Sequence, residues 1–276
     1  MNLIVAIDAG GTKLAAALVE GGTGRLLERR EIPTERHRGG LAVLGDCVDL
    51  ARGLAVGRQV AAVGIGVPEL VSLDGQIQSA VSWDWRDGKW RAALATVAPV
   101  YVDSDVRAAA LAEARLGAGR SMSSFLYVTV GTGVSHSFVW GGTPWRGARG
   151  NAVVTGAPLV EAVASGPALA ARAGRNRAQD VLANESDKPI VDEAASALGQ
   201  ELARLVNALD PQAVVLGGGL GLAPGFRERV TECMRPQIYA DATRGLEVLP
   251  GALGTNAGVI GAALAADSAL AADLRD

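Results

Sequence analysis

The sequence predicts an α/β fold in two successive units, and three observations carry that prediction. Strand-like apolar runs alternate with helical periodicities along the 276 residues. A strand, glycine turn, strand sequence at residues 3–19 is made again at 125–140. A long amphipathic pattern from Ile190 to Leu209 leads into a strand that ends in three consecutive glycines.

Taken in order, Leu3 to Ile7 is a short apolar run stopped by Asp8-Ala9-Gly10-Gly11-Thr12-Lys13, and Leu14 to Val19 resumes it before Gly21-Gly22. The pair reads as a strand, a glycine turn and a second strand. Leu26 to Ile32 is a more polar third strand, suited to a sheet edge. Leu41 to Leu54 and Arg91 to Val97 carry helical patterns. Between them Ala61 to Val67 is a β-type run stopped by Pro68, and Val100 to Val102 is a short strand stopped by Asp103-Ser104-Asp105. A helix is expected at 106–116. The second unit begins with Phe125 to Val130, turns at Gly131-Thr132-Gly133 and returns through Val134 to Trp140. The strand Ala213 to Leu216 enters Gly217-Gly218-Gly219, and an alanine-rich helix, Ala257 to Ala266, ends the pattern.

Hydrophobic residues make up 49% and charged residues 20%, the balance of a folded domain. The net charge of −3, with dispersed basic residues, leaves no cationic face for nucleic acid or an anionic membrane. The opening MNLIVAIDAGG has no basic prelude and reads as a strand, no apolar run reaches the ~18 residues of a membrane span, and a cytoplasmic location is expected. Cys47 and Cys233 stand alone, without a CxxC, and read as two buried free thiols.

The two glycine turns occupy corresponding places, each after a strand and each with a threonine. Such turns can aim backbone N–H groups at a polyphosphate from both sides, because residues without Cβ admit phosphate oxygens closely. Thr12 and Thr132 would add hydroxyl donors. DAGGTK alone is also compatible with an ordinary hairpin turn; its joint occurrence with VGTG and a strand ending in GGG favours the phosphate reading. There is no GxxxxGK[ST] and no GxGxxG after the first strand, so neither a P-loop nor a dinucleotide fingerprint is present.

DAGGTK, VDSDVRAAALAEARLGAG at 102–119, VTVGTG at 128–133, VVLGGGL at 214–220 and LGTNAGVIGAA at 253–263 together resemble the ROK family of bacterial sugar kinases, in the family's order and over essentially the whole chain. The resemblance implies a two-domain actin-like ATPase (ribonuclease H-like) fold with a cleft between the domains. It implies an N-terminal domain over 1–108, on the acceptor side, and a C-terminal domain over 109–276, on the nucleotide side. The last helix, about 257–270, is expected to pack back toward the first domain. ATP and Mg²⁺ are the implied cofactors. The family's first phosphate turn falls on Asp8, Gly10, Gly11, Thr12 and Lys13, with Asp8 orienting hydrated Mg²⁺. Its second falls on Gly131, Thr132 and Gly133. Its adenosine loop falls on Gly217, Gly218 and Gly219, where a side chain would block the nucleoside. The family's catalytic base falls on Asp105 in Ser104-Asp105-Val106-Arg107; an N-cap for the following helix is the alternative reading of that residue.

The sequence departs from the family where the acceptor and a structural zinc would be bound. The usual Glu-x-Gly-His segment and cysteine-rich loop are replaced by Arg146 to Pro158, which contains no Glu, His or Cys. No structural zinc is therefore expected, and His37 and His136 read as surface or supporting residues. Asn151 stands where the family Glu would be and can donate and accept without charge. Ser82 falls on the family's acceptor-binding Asn. Asp84, between Trp83 and Trp85, offers a carboxylate and a stacking face, with packing under a loop as the equal alternative. Glu69 and Arg107 replace other family residues and read either as acceptor contacts or as solvated side chains. The acceptor-side residues expected are thus Ser82, Asp84, Ser104, Asp105 and Asn151, acting on a sugar, aminosugar or cyclitol-like polyol, in a protein for which a homodimer is admissible. The alternative is a catalytically silent sugar- or nucleotide-binding regulator of the same fold. The family's repressors carry a DNA-binding segment ahead of the first strand, with which this sequence opens; nothing marks a filament surface.

Overall fold

The computed structural model describes residues 2–155 and 159–273, in two compact units. The first comprises Met1–Leu116, Arg146–Asn151 and Asn256–Asp276; the second comprises Gly117–Trp145 and Ala152–Thr255. The chain leaves the first unit at Leu116, at the end of the helix that follows the Asp103-Ser104-Asp105 segment; a boundary at 108/109 would fall inside that helix.

In the first unit the strands are β1 (Leu3–Ala9), β2 (Lys13–Glu20), β3 (Arg25–Pro33), β4 (Val60–Val67) and β5 (Val100–Ser104), with helices α1 (Gly40–Ala55), α2 (Lys89–Leu94) and α3 (Asp105–Leu116). The sheet order is β3-β2-β1-β4-β5. The β1–β2 and β2–β3 pairs are antiparallel, and β1–β4 and β4–β5 are parallel. The polar β3 takes the edge. Alternation along β1 sends Val5 and Ile7 to one face and Ile4 and Ala6 to the other. The first pair packs with the α1 residues Val43, Cys47, Ala51 and Leu54. The second packs with Val259, Ala262, Ala263 and Ala266 of the C-terminal helix, Ala257–Asp273. Small residues let that helix lie close: a Cβ on Gly64 of β4 would stand 2.1 Å from the Ala262 carbonyl oxygen, and one on Gly261 would stand 1.7 Å from that of Ala108.

The second unit holds β6 (Ser124–Val130), β7 (Val134–Trp140), β8 (Thr143–Pro144), β9 (Ala213–Gly217) and β10 (Glu247–Pro250). Its helices are α4 (Leu159–Ala164), α5 (Gly166–Arg172), α6 (Ala178–Leu182), α7 (Lys188–Leu209), α8 (Gly218–Gly221), α9 (Pro224–Met234) and α10 (Asp241–Arg244). The order β10-β9-β6-β7-β8 repeats the first sheet, with β6–β7 and β7–β8 antiparallel and β6–β9 and β9–β10 parallel. The core joins Leu126, Val128 and Val130 to Val191, Leu198, Leu202 and Val206 of α7. The predicted helix at 91–97 begins earlier and stops at Leu94, where residues 95–97 form turns ahead of Pro99. Cys47 is buried, whereas Cys233 is only half-buried, so one of the two thiols differs from expectation. Among the described residues no helix is long and apolar enough to cross a membrane.

Candidate active site

Parallel pairing brings three carboxylates to the carboxyl ends of adjacent strands, the place where open α/β sheets bind ligands. Asp8 lies near the end of β1, Glu69 two residues beyond β4, and Asp105 directly after β5 as the first residue of α3. Asp8 pairs in register with Gly66, and Gly66 with Asp103. A Cβ on Gly66 would stand 3.3 Å from the Asp105 Cα, so the bare glycine admits the start of α3 against the sheet.

Asp105 accepts a 2.6 Å hydrogen bond from the Val106 amide. Burial, and then the negative charge of Asp8, pushes its pKa up to about 7, while the Val106 amide and the Ser104 hydroxyl pull the other way. Asp8 is raised to about 6 by burial, with Arg29 opposing. A Cβ on Gly258, in the first turn of the C-terminal helix, would lie 2.2 Å from Asp8 Oδ2, so this carboxylate occupies space that only glycine leaves. The turn after β1 is fixed by Thr34, whose hydroxyl donates to the Gly10 carbonyl at 2.7 Å and whose amide donates to the Thr12 carbonyl. A Cβ on Gly10 would meet the Lys13 carbonyl oxygen at 2.8 Å. Gly11 is half-buried and Thr12 exposed, while Lys13 is exposed and paired with Glu31 at 3.0 Å.

Glu69 is not solvated. It is buried and accepts from the Ser79 hydroxyl and from the amides of Val81, Ser82 and Trp83, so it organises the loop that carries Ser82. Trp83 and Trp85 are buried, with ring centroids 5.1 Å apart, and Trp85 Nε1 donates to the Gly40 carbonyl; packing under the loop is what they do, and neither presents a stacking face. Asp84 points to solvent in a two-bond pair with Arg86 that holds its carboxyl down at about 2. Ser104 is buried at the end of β5, its amide on Asp103 Oδ1 at 2.7 Å. Asn151 is exposed on the segment Arg146–Asn151, which belongs to the first unit.

Arg107 is not solvated either. It is 1% exposed and donates through Nε to Asp103 Oδ1 at 2.6 Å, through Nη1 to the Gly150 carbonyl and through Nη2 to the Val71 carbonyl at 2.8 Å. Burial draws the guanidinium below its ordinary pKa, and Asp103 opposes.

In the second unit the β6–β7 turn and the glycines after β9 lie side by side, because Thr129 pairs with Gly217; a Cβ on Gly131 would be 3.9 Å from the Gly219 amide. The turn is closed by the Gly131 amide on the Gly133 carbonyl at 2.9 Å and tied to the start of α5 by the Gly166 amide on the Gly131 carbonyl. Glu161 Oε2 accepts from the Val134 amide at 3.0 Å, and Thr132 is exposed. The triple glycine is bare mainly for internal reasons. A Cβ on Gly217 would stand 2.1 Å from the Tyr127 hydroxyl oxygen, and one on Gly218, at φ +75°, would stand 2.4 Å from the Val130 carbonyl oxygen. Only at Gly219 is there room, with Gln179 Nε2 at 3.6 Å. The expectation that all three glycines make way for a nucleoside is corrected accordingly.

His37 is exposed. His136 is half-buried with Nδ1 2.9 Å from Thr155 Oγ1, and burial lowers its pKa. Among the described residues no three His, Cys, Asp or Glu side chains converge on a metal-sized site. Gly156 to Pro158 of the departing segment lie outside the described residues. No role was assigned to Glu161, Gly258 or Thr34 from the sequence, because the link of each is a contact between distant segments.

Two sheets of one topology, each with a glycine turn between its first two strands, define the actin-like ATPase fold. Among solved structures, a ROK family glucokinase from Streptomyces griseus in complex with glucose and AMPPNP matches with a TM-score of 0.85 at 25% identity, over 97% of this chain and 100% of that one. A ROK hexokinase from Thermus thermophilus matches at 0.76 and 31%, over 98% and 99%. The chain belongs to the ROK family, whose model matches residues 4–160 and 155–269. A bifunctional NanE/NanK enzyme of Brucella melitensis is 33% identical over 94% of this chain and 53% of its own length; the chain thus spans about half of that relative. A glucokinase of Halalkalibacterium halodurans is 30% identical over 93% of this chain and 92% of its own length.

Proposed function

We propose that this chain is an ATP-dependent carbohydrate kinase with Asp105 as general base. The observation that carries the proposal is a half-buried carboxylate at the end of a parallel strand whose pKa is pushed up to about 7, close to the value at which a base is both available and effective at neutral pH. Asp105 accepts the proton from an acceptor hydroxyl as that oxygen bonds to the γ-phosphorus of ATP, and the bond from phosphorus to the β-bridging oxygen breaks to release ADP. Ser104 and Asn151 hydrogen-bond the acceptor. The main-chain amides of Gly10, Gly11, Thr12, Gly131, Thr132 and Gly133 receive phosphate oxygens, with Lys13 released from Glu31 to join them, and Gly217, Gly218 and Gly219 form the nucleoside loop, where Gly219 offers the space.

Asp8 suits Mg²⁺. It is a hard oxygen donor, raised in pKa by burial, and a divalent cation carried through water would relieve the repulsion between it and Asp105. When bound, the ion would offset charge on the transferring phosphoryl group. No role for structural zinc is assigned. The acceptor is a neutral hexose or an N-acylated aminosugar, because Asn151 offers an amide where a charged grip would otherwise stand, and relatives named glucokinase and N-acetylmannosamine kinase act on those two classes. ADP release measured across hexoses, aminosugars and cyclitols is the test. Dependence on one neutral sugar supports the reading; ATP binding with no acceptor-dependent ADP would make the chain a binding protein.

A further inference from the structure

The segment Arg146–Asn151 belongs to the first unit, although its chain neighbours on both sides belong to the second. What holds it is narrow. Gly150 adopts φ +84°, and a Cβ there would lie 2.2 Å from the Val71 carbonyl oxygen. Two backbone carbonyls, Val71 and Gly150, therefore come together where no side chain of residue 150 can intervene, and both need donors. Arg107 supplies them from one planar guanidinium, with its third direction closed by Asp103. Asp103 in turn takes a 3.3 Å contact from Arg146 Nη2, at the other end of the same segment. Arg107 stands two residues after Asp105 in the first turn of α3, and Asn151 follows Gly150 directly.

We propose that Arg107 is a positioning residue: by clamping the Gly150 carbonyl to the Val71 turn it fixes Asn151 relative to Asp105, and so sets the grip on the acceptor hydroxyls. The inference rests on the kinase reading for its acceptor half, while the clamp itself is testable without any acceptor. The Arg107→Lys substitution keeps the charge beside Asp103 and cannot donate along two fixed in-plane directions. Losing one or two charge-assisted hydrogen bonds corresponds to a factor of roughly 10 to 100.

The experiment compares the parent, Arg107→Lys, Asn151→Ala and the double variant. Amide exchange across 146–151 is expected to speed up about tenfold or more in Arg107→Lys. Acceptor KM should rise ~10- to 100-fold, with kcat within about threefold and ATP Kd within about twofold of the parent. Asn151→Ala should raise the same KM, and the double variant should be little worse than the worse single one, because both changes remove one grip. Parent-like exchange in Arg107→Lys overturns the clamp. Faster exchange with parent-like acceptor KM, or strictly multiplicative effects in the double variant, overturns the positioning role. Should Arg107→Lys not fold, the parent decides: exchange across 146–151 as fast as in the unfolded chain refutes the clamp. A parent that turns over no sugar removes the kinase reading, with the exchange result still standing on its own.

Discussion

The two sheets share one strand order and differ in what stands at their carboxyl ends. In the first, β1 ends near Asp8 and β5 runs into Asp105, so the ends carry side-chain charge. In the second, β6 runs into Gly131 and β9 ends at Gly217, ahead of Gly218, so the ends carry bare main chain. One frame thus carries two kinds of strand end: under the proposed function the first adds carboxylates for a proton and a cation to its glycine turn, and the second offers bare amides alone to phosphate. The contrast teaches that the fold supplies the location, and a few residues per strand end supply the function.

The sharpest way to break the comparison is to remove charge from the first sheet. Asp105→Asn is expected to lower kcat by ~10² to 10⁴, with ATP Kd close to the parent value, and steady-state kinetics with the best acceptor check it. A parent-like kcat would reduce Asp105 to a structural acid. The second sheet is tested by paired glycine changes. Gly218→Val should cost on the order of 3 kcal/mol or more, because the new side chain meets the Val130 carbonyl in a left-handed backbone, whereas Gly219→Val should melt within a few degrees of the parent and bind ATP at least ~10-fold more weakly. Denaturant titration and nucleotide binding separate the two.

Gly258→Ala returns to the first sheet by a smaller step. A methyl group 2.2 Å from Asp8 Oδ2 must displace the carboxylate, and the Mg²⁺ concentration for half-maximal rate should rise roughly 10-fold. The mildest test is pH. Asp8 and Asp105 hold protons in the folded state that the unfolded chain has lost, since both values lie above 3.8. The folded state therefore binds more protons, and stability falls as pH rises from about 4 through about 7. Asp105→Asn should flatten that slope and gain about 1–3 kcal/mol at pH 8, read by chemical unfolding at several pH values.

Much of this was legible in the sequence for physical reasons. Alternating apolar runs reveal strands such as β1 and β6, and the 3.6-residue period of α7 is unambiguous. β8 has two residues and β10 mixes Glu247 with half-buried positions, so neither leaves a pattern. Asp8, Asp105 and the glycine turns were visible because each sits in a dense local motif. The roles of Glu69 and Arg107 were not, since a charged residue reads as solvated until its partners are known. Those partners, the amides of Val81 to Trp83 in one case and the carbonyls of Val71 and Gly150 in the other, are main-chain atoms that no residue identity announces.

The C-terminal helix packs on one face of the first sheet, in one cluster with Ile4, Ala6, Ala17 and Val19, and places Gly258 against Asp8. During synthesis those strands emerge well before that helix. The unit made first is therefore the unit finished last: until residues 256–273 arrive, its sheet presents an uncovered apolar face, while the second unit, already whole through Thr255, can fold ahead of it.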